Sequence, residues 1–305
     1  MKHKYQIAAL WSCFLLFAGG CKAEVRERAY GEAMAVHSSE RLTQGTIRYG
    51  ESSAQASASQ PALLPEALRL QSGKSLYTGH LSVLLVSGKA TKTLLQLTAE
   101  QWLTPHCTLI STPENAALLL AEQEAPEHAY QQACATGLVP QYQVADLLGM
   151  LQNGAGIASI PCYEDGAFTL ALWDDTTLLG NLSSAACRGA ALAENDWEQF
   201  RFAADEEICT LTECDLLRSA EETANGLHLE LECRARCTPS TDAAHAAIEE
   251  YLTAAMQESL QYGADLFFWQ EIAIRDGIGW AAKATPEQWR SALQQAEFQI
   301  SVSLS

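Results

Sequence analysis

Residues 227–236 read LHLELECRAR, and this stretch decides the fold class. Leu227, Leu229, Leu231, Cys233 and Ala235 alternate with His228, Glu230, Glu232, Arg234 and Arg236. A strict period of two puts the apolar side chains on one face. That is the pattern of an antiparallel strand with one side on a core and the other in water. Asn225-Gly226 just before it marks a tight turn. Downstream, Thr241 is a hydroxyl cap for a long helix running to about Tyr262, with Ile248, Leu252, Ala255, Met256 and Leu260 as its apolar stripe. Thr285-Pro286-Glu287-Gln288 is a capping box with Pro at the first helical position, and its helix should bury Trp289 and Leu293. The chain ends FQISVSLS, where Phe298, Ile300, Val302 and Leu304 alternate again.

Working back from this third, an acidic and weakly patterned stretch, 193–207, suits a boundary. Before it, residues 168–173 and 177–182 flank Asp174-Asp175 as a hairpin. Further upstream helices and strands alternate. Residues 81–87 and 107–111 read as buried strands. Residues 91–102 read as a helix presenting Leu94, Leu95 and Thr98, with Trp102 one turn on, and 143–151 as another. Thr112-Pro113-Glu114 carries a helix-start signal. Residues 50–65 are rich in Ser, Ala and Gln and read as a loop, with a helix opening at Pro65 or Glu66; a short strand is expected over 33–37.

The N-terminus reads as an address. Lys2 and Lys4 precede an apolar run, 7–18, too short to span a bilayer core as a helix. Ala18-Gly19-Gly20-Cys21 follows and has the form of a bacterial lipobox, with Ala18 where Leu is usual. The expectation is a signal peptide over 1–20 and lipid attachment at Cys21. The alternative is ordinary cleavage that leaves Cys21 as a thiol. Two acyl chains would hold the protein stably on a membrane without spanning it. The remaining length suits two or three domains: an N-terminal region, 21–195, divisible near 136–142, and a C-terminal α+β domain, 205–305.

The formal charge is −18, with 37 Asp and Glu against 19 Lys and Arg. A surface this acidic argues against nucleic acid and against anionic headgroups as direct partners, leaving the lipid to make the membrane attachment. Besides Cys13 and Cys21, cysteines stand at 107, 134, 162, 187, 209, 214, 233 and 237. Disulfides and buried thiols are both open readings, preferred over zinc because C-x4-C…C-x3-C is not the tight spacing of a zinc knuckle. No nucleophile elbow, zincin motif, phosphate loop or EF-hand occurs. Gly154-Ala-Gly156 lacks the third glycine of a dinucleotide turn, His106-Cys107 suggests packing rather than a nucleophile pair, and the adjacent acids at 174–175 and 221–222 suit solvated turns. The tryptophans read as core residues. No catalytic, cofactor or metal-ligating residue is nominated, and the chain reads as an anchored, non-catalytic binding or assembly module.

Four segments in order carry a resemblance: CKAEVRERAY from Cys21, LYTGHLSVLLVSG (76–88), FTLALWDDTTLLGNLSSAACRGAAL (168–192), and GADLFFWQEIAIRDGIGWAAKATPEQWRSALQQAEFQISVSLS (263–305). Together they resemble the C-subunit lipoproteins of spore nutrient-germinant receptors, the Ger(x)C type. Lys22 stands where that family usually has Trp. The third segment resembles the family's hairpin followed by a Leu-Ser…Arg-Gly turn, and the fourth resembles a helix begun by Gly-Ala-Asp265. The resemblance implies an α+β fold of several domains, each a mostly antiparallel or mixed sheet wrapped by helices. It implies a lipid anchor at Cys21 on the extracytoplasmic face of the spore inner membrane, and assembly with integral-membrane A and B subunits. It carries no active site and no cofactor. The runner-up is a substrate-binding lipoprotein of a transporter, which would need two α/β lobes around a cleft. A secreted enzyme with an unrecognised site is a third reading.

Overall fold

The long C-terminal helix shows how this chain builds its elements. Thr241 Oγ1 accepts a hydrogen bond from Ala244 N at 3.1 Å, and Gly263 closes the helix with a left-handed φ of 71°. Between them Ile248, Leu252, Ala255, Met256 and Leu260 are buried, so the helix lies on a sheet along the stripe read from sequence. The computed structural model describes residues 28–122, 126–152, 154–174, 177–224 and 226–305; the leader and Cys21 lie outside the described residues.

The strands are β1 (Arg28–Tyr30), β2 (Ala33–Ser38), β3 (Thr43–Tyr49), β4 (Ser52–Ala58), β5 (Ser75–Tyr77), β6 (Val83–Gly88), β7 (Thr108–Ser111), β8 (Ile157–Glu164), β9 (Ala167–Asp174), β10 (Thr177–Asn181), β11 (Phe200–Ala204), β12 (Glu207–Thr223), β13 (Gly226–Thr238) and β14 (Glu297–Leu304). The helices are α1 (Leu64–Ser72), α2 (Ala90–Ala99), α3 (Ala116–Glu122), α4 (Glu127–Ala135), α5 (Val144–Gln152), α6 (Ser184–Glu194), α7 (Asp242–Tyr262), α8 (Trp269–Arg275) and α9 (Pro286–Gln294). They form an α+β structure. An eight-stranded mixed sheet runs β10-β9-β8-β7-β6-β2-β3-β4, a four-stranded sheet runs β11-β12-β13-β14, and β1 pairs with β5. The large sheet is parallel in its middle, β2 with β6, β6 with β7 and β7 with β8, and antiparallel at both ends. In the smaller sheet β12 and β13 are an antiparallel hairpin, but β14 joins β13 in parallel after the chain has returned through α7, α8 and α9. That return is what a parallel neighbour requires.

Several sequence expectations are corrected. Most of residues 50–65 is not a loop: β4 pairs along its whole length with β3, a strand the sequence did not announce. Its buried residue is Ala54, and α1 packs so tightly on β3 that a Cβ at Gly45 would stand 2.4 Å from Leu64 Cδ2. Small residues are required for that approach, and small residues hide the period. The segment 184–194 is a helix rather than a turn, capped by Ser183, whose Oγ accepts from Ala186 N. It is rich in Ala and Gly because it lies against α7: a Cβ at Gly189 would meet Tyr251 O at 2.1 Å. The helix signalled at 112–114 begins at Ala116, with Asn115 Oδ1 accepting from Leu118 N. In α2 the buried leucines are Leu94 and Leu97, and Trp102 is buried beyond the helix end. The helix after Gly263 starts at Trp269, four residues past Asp265.

Candidate functional site

Three parts of the chain, far apart in sequence, close around a cavity of about 280 Å³. One wall is α5, presenting Asp146, Gly149 and Met150, with the following turn at Gly154 and Ala155. The second is Glu194, at the last turn of α6. The third is the segment from Asp265 to Glu271 that enters α8. Arg290 of α9 ties the turn after α5 to the end of β9. Its guanidinium pairs with Asp174 at 3.1 Å and donates to Ala155 O at 3.0 Å.

The cavity is acidic, and its carboxylates play different parts. Asp265 is half-buried at the cavity wall, and burial pushes its pKa up, yet it accepts from Gln270 N at 2.9 Å, Trp289 Nε1 at 2.9 Å and Trp269 N at 2.6 Å. Those donors use its oxygens to start α8 and to orient Trp289, so its role is architectural. Glu194 is different. Its Oε1 and the nearby Tyr142 Oη are both buried without a hydrogen bond of ordinary geometry. Burial first, then the charges of Asp146 and Asp196, push its pKa up to about 7, against the pull of the Arg218 guanidinium. At neutral pH Glu194 therefore holds its proton about half the time.

The residues weighed from sequence fall apart in space. Cys21 lies outside the described residues. His106 is exposed and meets Gln143, while Cys107 is buried with its thiol pushed up to about 12 by burial, the opposite of a nucleophile's requirement. Asp174 is held by Arg290, and Glu221 and Glu222 are exposed near the hairpin end. Gly154 and Ala155 line the cavity, which the dinucleotide comparison did not suggest. Glu194, Asp146 and Asp265 were missed. No local motif unites them, since their meeting is a tertiary fact.

All eight described cysteines are free and buried. Cys209, Cys214, Cys233 and Cys237 lie on the buried face of the β12–β13 hairpin, with Cys214 Sγ 3.8 Å from Cys233 Sγ. Contact with Cys214 and burial both push the Cys233 thiol up. Among the described residues no three His, Cys, Asp or Glu are placed to hold a metal ion.

No protein-family model matches the chain, and no curated protein matches it. Among solved structures, the crystal structure of the GerBC protein superposes on 89% of this chain and 96% of its own, with a TM-score of 0.57 at 11% sequence identity. At that identity the likeness speaks for architecture. The chain has the fold of the GerBC protein, a Ger(x)C-type fold, as the four resembling segments implied.

Proposed function

We propose that this protein is a membrane-anchored lipoprotein subunit of a spore nutrient-germinant receptor, acting as a non-catalytic assembly component. The observation that carries this reading is the shared fold with GerBC over 89% of the chain, reached at an identity too low for sequence comparison to find it. The anchor is a diacylglyceryl group on Cys21, exposed after removal of residues 1–20. Among the described residues no helix is long and apolar enough to cross a membrane. Tethering confines the folded part to the membrane plane and raises its effective concentration beside integral-membrane A and B subunits. Nutrient sensing belongs mainly to those partners. A transporter's binding lipoprotein is the weaker reading, because the mixed sheet and its joined four-stranded unit do not make two parallel-sheet lobes.

The test is germination of spores lacking the gene, exposed separately to nutrients and to calcium dipicolinate. The expected result is loss of the response to at least one nutrient class with the calcium dipicolinate response intact. Normal germination with every nutrient in spores stripped of the other receptor genes would refute the reading.

A further inference from the structure

The net charge of −18 conceals a strong segregation. Residues 28–92 hold seven Lys and Arg against four Asp and Glu, a net of +3. Residues 93–305 hold eight against thirty-one, a net of −23, and between Lys92 and Arg188 there is no Lys or Arg at all. The basic portion is the one that follows Cys21. Six residues lie between Cys21 and Arg28, so Arg28 can stand no further than about 25 Å from the lipid.

At that point the surface is aromatic. β1 and β5 pair with Arg28 opposite Ser75 and Tyr30 opposite Tyr77, while Ala29 and Leu76 point into the core. The outer face therefore carries Arg28, Tyr30 and Tyr77. Tyr30 and Tyr77 are 39% and 43% exposed, and their rings meet edge to face at 5.5 Å. His80 closes the triad, 5.8 Å from Tyr30 and 5.6 Å from Tyr77. Just before β5 come Leu70, the most exposed large apolar residue at 76%, and Lys74, whose ammonium sits over the Tyr49 ring. Glu32, the acid next in the chain, points toward Gly50 N. Amphipathic rings beside cations are the chemistry of the headgroup layer, where one end of a side chain is apolar and the other wet.

We propose that the face bearing Tyr30, Tyr77 and His80 lies against an anionic phospholipid surface and sets the orientation of the folded chain on its membrane. This rests on the anchoring reading for Cys21. The tether brings the face within reach, the aromatic rings enter the headgroup layer, and repulsion of the acidic remainder turns the rest of the molecule outward. This revises the expectation drawn from total charge, because screening leaves only charges within about 10 Å of the surface to act.

The test installs the tether chemically, so that the face and the cellular acylation of Cys21 fail separately. The chain from Cys21 to Ser305 is coupled at Cys21 to a maleimide phospholipid; the eight other cysteines are buried. Bound to phosphatidylcholine vesicles with and without phosphatidylglycerol, it is labelled with diethyl pyrocarbonate and read by mass spectrometry. His80 labelling should fall severalfold on the anionic vesicles relative to the uncoupled chain in solution, with His228 and His245 unchanged. Tyr30→Ser with Tyr77→Ser should restore His80 labelling while the chain stays on the vesicles. Unaltered His80 labelling, or equal loss at all three histidines, overturns the proposal. Equal protection on neutral vesicles overturns the role given to charge.

Discussion

Replacing Glu194 by Gln should make the protein more stable at pH 8 and leave it nearly unchanged at pH 4. The carboxyl is buried beside Asp146 and Asp196, and its pKa stands at about 7 in the folded protein against an ordinary 4.5. Below 4.5 both folded and unfolded states carry the proton. Between 4.5 and about 7 the unfolded chain has released it and the folded chain keeps it, so stability falls by about 1.4 kcal/mol for each pH unit. Above about 7 both are ionised and the loss is complete, at about 3 kcal/mol. Gln is of similar shape and cannot ionise, so this loss disappears in Glu194→Gln. The assay is urea unfolding of residues 22–305 at several pH values, followed by tryptophan fluorescence. The wild-type curve contains many titrating acids, but the difference between the two proteins isolates this one. That difference should grow from near zero to about 3 kcal/mol between pH 4 and pH 8. Asp146→Asn, which removes the larger of the two neighbouring charges, should shrink the span. A difference that stays flat across the range would refute the assignment of a buried, frequently protonated carboxyl.

The remaining predictions concern packing and thiols. Asp265→Ala strands the Trp269 and Gln270 amides and the Trp289 indole N–H, each orphan costing about 1–3 kcal/mol, so the urea midpoint should drop by the equivalent of at least about 3 kcal/mol. Gly189→Ala improves helix propensity by about 1 kcal/mol but drives a Cβ into Tyr251 O; we expect a net loss of about 2 kcal/mol by the same assay. Burial pushes Cys107, Cys134 and Cys187 up to about 12, so none of these three should react with iodoacetamide at pH 8 until urea is added. The boundary proposed at 195–205 is tested by two fragments. One from Ser183 keeps α6 and β11, one from Asp205 lacks both, and the longer should be the more stable in urea because it retains buried Phe200 and Phe202.

The C-terminal third was legible because its signals are local and agree with one another. The alternation from Leu227 to Ala235, the Thr241 cap and the Thr285–Gln288 capping box all appear where the sequence places them. β12 runs opposite β13 and could not be read, although it is the longest strand. Its buried residues are Cys209 and Leu211, then Cys214 and Ala220: the register shifts between Leu211 and Glu213, and that bulge moves the apolar set from odd to even positions. A period of two that changes phase halfway reads as no period. β4 and α6 were lost for another reason. Where helix and strand or helix and helix approach closely, the interface selects Gly and Ala, and residues without bulk leave little hydrophobic contrast to detect.

The acidic cavity illustrates a limit of a different kind. Asp146, Glu194 and Asp265 sit on a helix start, a helix end and a loop, and nothing in their neighbours marks them. Their distinct roles follow from partners that only the fold supplies. Three donors make Asp265 a structural fastener, while burial and then the charges of Asp146 and Asp196 leave Glu194 holding a proton near neutral pH. Charge was legible in the same partial way. The total of −18 was correct as a sum and hid a division along the chain, since residues 28–92 carry a net +3 and residues 93–305 a net −23. A net charge describes a molecule seen from beyond a Debye length. At the proposed membrane face, closer than that length, the side chains around Tyr30 and Tyr77 outweigh the distant acids.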